Sequence, residues 1–238
     1  MPRKLPWTMP AIVLLALTAV GSIGLAYRQG LMPAVINLLL PVDLAAPNAW
    51  LIDWRLAALR HDRAQCRRTL RSPHVVARAV PDNPPRKGCG WVNGVHVVSA
   101  GGIRASFYPL TCEATAALAM WLEHEVQPLA RELLGQRVTS IRSLGGYSCR
   151  NIVGNRLWKS WRSQHATANA VDITGFTLAD GRQIGVRKHW RGDGAEARFL
   201  KAAQRRACRY FRAVLGPEYN AAHRDHLHLD RGRYRYCR

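Results

Sequence analysis

The sequence has few acidic residues, no Cys-x-x-Cys pair, no internal repeat and, from Leu5 to Tyr27, no charge at all. Each absence excludes something. With 238 residues, 48% of them hydrophobic and only 21% charged, the composition is globular, which removes disorder, collagen and coiled coil. Without Cys-x-x-Cys there is neither a zinc knuckle nor a thioredoxin-like redox motif. The six cysteines, Cys66, Cys89, Cys112, Cys149, Cys208 and Cys237, are even in number and widely spaced, so they read as three disulfides. Order along the chain suggests the pairs Cys66–Cys89, Cys112–Cys149 and Cys208–Cys237. The chain is too long for a miniprotein held by disulfides alone.

The scarcity of acid leaves 35 Lys and Arg against 15 Asp and Glu, a formal charge of +20. Such a surface attracts polyanions: nucleic acid, anionic lipid headgroups or the acidic polymers of a cell envelope. The N-terminus chooses among them. Arg3 and Lys4 precede the uncharged run to Tyr27, the pattern of a transmembrane helix with a cytoplasmic N-terminal tip and the rest exported. A cleaved signal peptide, with Gly24-Leu25-Ala26 as its small-residue cleavage site, is the alternative. Both put Arg28 onward, and a charge of +18, outside the cytoplasm, which leaves no role for nucleic acid. The favoured division is a tip and anchor over 1–28, a linker or interfacial segment over 29–55, and a domain over 56–238. Leu31–Leu40 is apolar but too short to span, and Pro33 and Pro41 interrupt it.

Within the domain, helical and strand patterns alternate. Trp54–Leu70 reads as a short basic helix. Trp91–Val98 and Ile103–Tyr108, joined at Gly101-Gly102, read as a hairpin. Glu113–Leu134 is the strongest helix, with an apolar stripe from Ala116 to Leu133 and Gly135 as its stop. Arg137–Leu144 alternates as a strand, Ala195–Leu215 reads as a helix ending at Gly216-Pro217, and Ala168–Thr174, Gln183–Val186 and Asp225–Asp230 read as short strands. Helices around a small antiparallel sheet make an α+β fold.

The chemistry gathers in Ser163–Asp172 and in His223–Asp230. Alternation sends His226, His228 and Asp230 to one face of a strand, and Asp225, Leu227 and Leu229 to the other. If Asp172 lies on a neighbouring strand, with His165 in the loop before it, two His and one Asp surround a single ion. Three protein ligands with the fourth position open to water are the set of a catalytic zinc. A hydrogen-bonded polar network without metal is the alternative. Asp230 is a candidate to orient His228 through its other ring nitrogen and Ser163 to fix His165, the alternatives being a solvated carboxylate and a turn-forming hydroxyl. In Lys188-His189-Trp190, a packed Trp with an exposed His is expected.

Ser163-x-His165-(x)4-Ala-x-Asp172, followed by the late His226-x-His228, resembles the zinc D-alanyl-D-alanine peptidases and murein endopeptidases of the lysostaphin and hedgehog group. More closely, Gly146–Arg150, Ser163–Asp172, Gly175–Gly181 and Leu215–His223 resemble the bacterial extensin-like C-terminal domain, over roughly Leu56 to Cys237. The resemblance implies a zinc-peptidase-like fold in which His165, Asp172 and His228 are zinc ligands, with His226 beside the metal. It also implies that Arg150 holds substrate or oxyanion. Ala168 stands where the peptidase pattern has Gly, and Asp225 where it places a Glu base. A base at Asp225 would need a bulge to reach the site, so His226 is an equal candidate. The activity expected is that of a membrane-anchored, periplasmic zinc peptidase, of D-alanyl-D-alanine carboxypeptidase or murein endopeptidase type, acting on peptidoglycan stem peptides. The alternatives are a binding module of the same fold that holds peptidoglycan or another acidic envelope polymer, and a disulfide-braced structural domain.

Overall fold

The computed structural model describes residues 8–28, 42–46 and 51–238. The apolar segment 31–40 lies outside them. The uncharged N-terminal run forms helix α1, Thr8–Arg28. Among the described residues, whose side chains in α1 are Pro10–Ile23 and Leu25, no helix is long and apolar enough to cross a membrane.

The domain is a mixed α/β fold, and its sheet is large rather than small. Nine strands join in the order β1-β4-β5-β6-β7-β10-β9-β11, with β8 also on β7. They are β1 (Val75–Ala79), β4 (Gly94–Ala100), β5 (Ile103–Thr111), β6 (Val138–Gly145), β7 (Ala170–Leu178), β8 (Gln183–Gly185), β9 (Ala213–Leu215), β10 (Leu227–Asp230) and β11 (Tyr236–Cys237); β2 (Asn83–Arg86) and β3 (Cys89–Trp91) pair separately. The β5–β6 and β9–β11 pairings are parallel, so the sheet is mixed.

The expected hairpin forms between β4 and β5, and it turns on Gly101 and Gly102, both with positive φ. The basic helix divides in two: α2 (Ile52–Ala58) and α3 (Arg63–Thr69) are separated where Asp62 caps α3 by accepting the Gln65 N–H. The strongest helix is continuous but not uniform. Its segments α4 (Cys112–Trp121) and α5 (Gln127–Leu134) flank a π-helical turn at Leu122–Val126, and Gly135 ends it in the left-handed conformation. Helix α6 (Val186–His189) follows β8 directly. Helix α7, Ala195–Ala207, stops well short of Leu215, because Ala213–Leu215 pairs as β9 with β10. Trp121, Phe107, Phe176, Phe199 and Phe211 fill the core between the helices and one face of the sheet.

Three disulfides close the fold, and only one matches the order-based pairing. Cys208–Cys237 forms as expected, but the others are Cys66–Cys112 and Cys89–Cys149. Spatial neighbours here come from the sheet order, which interleaves the chain. Cys66–Cys112 ties α3 to the start of α4, and Cys89–Cys149 ties β3 to the turn that carries Arg150.

Candidate metal centre

Strand β7 is where the two polar clusters meet. Its first half pairs antiparallel with β10, in a register that puts His228 opposite Asp172 and Leu229 opposite Val171. Val171, Ile173, Leu227 and Leu229 go into the core, so Asp172, His228 and Asp230 share the other face. Just before β7, a 3₁₀ turn over Gln164–Thr167 carries His165. The Ser163 hydroxyl starts this turn by accepting the His165 N–H at 3.3 Å. Ser163 thus fixes the backbone of His165, while the ring is held by the Gly146 carbonyl, 3.0 Å from Nδ1. Ala168 leaves the turn with φ 53°. The left-handed region favours Gly, since an L-residue is disfavoured there by about 1–2 kcal/mol.

The result is a buried trio. His165 Nε2 lies 3.1 Å from Asp172 Oδ2, His228 Nδ1 lies 2.9 Å from Asp172 Oδ1, and the two imidazole nitrogens are 3.1 Å apart. One ligand atom from each residue falls within 4.8 Å of the others. The remaining ring nitrogens are engaged by acceptors: Gly146 O faces His165 Nδ1, and Asp230 Oδ2 lies 2.9 Å from His228 Nε2. Asp230 is itself held by the Gly232 N–H on Oδ1 at 2.7 Å. Both outer nitrogens therefore carry protons, and both inner ones point lone pairs at each other and at a carboxylate. That arrangement needs a positive charge at its centre. Without a metal, a proton serves. Burial alone would lower the His228 pKa, but hydrogen bonds to Asp172 and Asp230 push it up to about 9. Burial likewise opposes ionisation of Asp172, and its bonds to His165 and His228 still hold it far below the carboxylate range.

A zinc ion fits this donor set. Tetrahedral zinc with bonds of about 2.0–2.1 Å has ligand atoms roughly 3.3 Å from one another, close to the separations in the trio. Acceptors already sit behind both imidazoles, the outer arrangement that orients metal-binding histidines.

Around the trio lie the other expected residues. His226 precedes β10 rather than belonging to it, and its Nε2 is 3.7 Å from Asp172 Oδ1. Asp225 does not approach through a bulge: the β7–β10 register is continuous, and Asp225 Oδ1 accepts from His226 Nδ1 at 2.9 Å. That bond holds the Asp225 carboxyl below its usual range. Arg150 is half-exposed, with Nη2 3.9 Å from Asp172 Oδ2. A fourth imidazole, His223, lies 5.2 Å from the His226 ring and 5.8 Å from that of His228, by centroids. Asn220 Oδ1 accepts from the Ala222 N–H and takes the His223 Nδ1 proton at 2.7 Å, so His223 Nε2 is bare. Burial, then the neighbouring His228 and His226, push the His223 pKa down to about 4. The sequence marks His223 and Gly146 only as members of the stretches Leu215–His223 and Gly146–Arg150, without a role of their own. Trp190 is buried, as expected, while His189 is half-buried, with Nδ1 taking the Gly185 N–H at 3.0 Å.

The family model described as extensin-like protein C-terminus matches residues 64–238, from the start of α3 to the last residue. The chain belongs to this family. The matched span holds the extensin-like domain's whole sheet, the trio and all three disulfides. No curated protein and no solved structure matches the chain at a significant level.

Proposed function

We propose that this extensin-like domain is a zinc peptidase, of D-alanyl-D-alanine carboxypeptidase or murein endopeptidase type, that cleaves peptidoglycan stem peptides outside the cytoplasm. The chain is held at the inner membrane by its N-terminal apolar segment. One observation carries the reading: two buried imidazole lone pairs and a carboxylate converge, with both outer ring nitrogens already satisfied. His165, Asp172 and His228 hold the zinc. When bound, the ion supplies an activated water and a polarised scissile carbonyl. His226 takes the water's proton at Nε2 and returns it to the leaving amine, and Asp225 fixes the productive tautomer by holding Nδ1–H. Arg150, cationic and half-exposed beside Asp172, donates to the carbonyl oxygen as negative charge builds there. The +20 chain draws the enzyme to the anionic polymers of the envelope.

The test uses the full chain in detergent, with metal analysis and a count of new amino termini from purified peptidoglycan. About one zinc per chain is expected, together with amino-terminus release that His165→Ala abolishes. Less than roughly a tenth of an equivalent of zinc removes the metal reading. Zinc without release, or release unchanged in His165→Ala, removes the enzyme and leaves a binding module for acidic envelope polymers.

A further inference from the structure

Strand β7 changes partner partway along. Its last pair with β10 is Ile173–Leu227 and its first with β8 is Gly175–Gly185, so Thr174 faces a notch between the two. The notch opens into a pocket of about 420 Å³ walled by Thr174, Arg142, Arg187, Lys188, His189 and Asp225. Asp225 links it to the metal centre, because the same carboxylate holds His226.

The cationic wall is constructed rather than incidental. Arg142, Gly175 and Gly185 lie in one row across the sheet, and Arg142 Nη2 lies over the two glycines. A Cβ at Gly175 would come 2.5 Å from Arg142 Nη2, and one at Gly185 would come 3.2 Å from it. Arg142 is fixed in that lane by Nη1 donating to Gln183 Oε1 at 2.9 Å and Nη2 to the Ile184 carbonyl at 3.4 Å. Neutral acceptors orient the charge without cancelling it. Among the described residues, none of Arg142, Arg187 and Lys188 forms a salt bridge. Three cations against the single carboxylate of Asp225 leave the pocket positive, and Asp225 itself weighs against a doubly charged guest.

We propose that this pocket is a carboxylate subsite, and that the substrate carries a free carboxylate about two residues from the bond that is cut, which is the endopeptidase rather than the carboxypeptidase case. The spacing follows from β7: Thr174 is two residues beyond Asp172, about 7 Å along the strand, and an extended peptide covers that span with two residues. Arg142, held by its neutral acceptors, faces the carboxylate with its positive charge, and Arg187 and Lys188 close over it. The assignment of the carboxylate to a substrate rests on the peptidase reading; the binding site does not.

The experiment is therefore a titration that needs neither zinc nor hydrolysis. Metal-stripped full chain in detergent is titrated with N-acetylglycine and with its uncharged amide, and the backbone amides of Thr174 and Gly185 are followed by NMR. The acid is expected to shift both signals saturably and the amide to leave them in place. Arg142→Gln and, separately, the exposed Lys188→Gln should each weaken binding by about tenfold, with the distant Arg131→Gln as an unaffected control. Equal binding of acid and amide, or unchanged binding in Lys188→Gln with Arg142→Gln, overturns the subsite. So does loss of binding in Arg150→Gln alone. Tighter binding of inorganic phosphate than of N-acetylglycine overturns the choice of carboxylate. Failure here leaves the zinc and peptidoglycan assays untouched, and failure there leaves this titration valid.

Discussion

At the scale of single residues, the centre depends on which nitrogen carries each proton. Asp230 matters most among the groups that do not face the metal position, because its carboxylate forces the His228 proton onto Nε2 and so bares Nδ1. Asp230→Asn keeps the size but removes the charge, and should weaken zinc binding by about 10–100-fold while the fold stays intact. Competition with a chromogenic chelator measures this, and unchanged affinity would show that Asp230 has no orienting role. Much of this was legible beforehand. Period-two alternation gave Asp230 its face, and the Ser163–Asp172 and His226-x-His228 patterns singled out the trio. Gly146 was not, since any residue offers the same backbone carbonyl and leaves no mark in composition. His223 was missed for a different reason: it sits on a turn, where alternation says nothing about direction. The same limit applies to Asp225, which precedes β10.

At the scale of elements, helices and hairpins with a strong local period were legible, and elements defined by partners were not. The β4–β5 hairpin and the α4–α5 helix follow from turn glycines and an apolar stripe. Strand β9 has only three residues, Ala213–Leu215, whose apolar character suits helix and strand equally, and pairing with β10 decides it. Glu113 shows how an element's role can exceed its local signal. It suits the first turn of a helix, yet it is fully buried and joins three elements: Oε2 accepts from Arg60 Nε at 2.7 Å and Oε1 from Arg231 Nη2 at 2.8 Å, while Arg231 also pairs with Asp53. Burial raises the Glu113 pKa, but Arg231 and Arg60 outweigh it, and the folded value lies below the ordinary 4.5. A depressed folded pKa means stability fully present above about pH 4.5 and lost as pH falls through the folded value. Glu113→Gln should cost about 1–3 kcal/mol at neutral pH, because Arg231 and Arg60 lose a charged acceptor while Arg231 keeps Asp53. The gap between variant and wild type should narrow below pH ~4.5. Thermal melts from pH 7 to 3 check both, and a gap that is independent of pH would show that Glu113 is not ionised in the fold.

At the scale of the whole molecule, the disulfides connect what the sheet order scatters. Their sequence separations are 46, 60 and 29 residues. Closing loops of that size in the unfolded chain stabilises the fold by about 4 kcal/mol each in the chain-entropy account. Three together match the whole stability of an ordinary domain, about 5–15 kcal/mol. The reduced chain should therefore melt more than about 10 °C below the oxidised one, or lose its cooperative transition altogether. Calorimetry with and without reductant, with free thiols counted by mass spectrometry, measures the difference. The Cys89–Cys149 bond also braces the turn bearing Arg150, so Cys89→Ser with Cys149→Ser should lower peptide release more than zinc content, which depends on β7, β10 and the Gln164–Thr167 turn. A reduced chain that melts within about 2 °C of the oxidised one would place the stability in the core alone. It would also remove the physical reason for this domain to fold in an oxidising compartment, which is where the proposed N-terminal anchor delivers it.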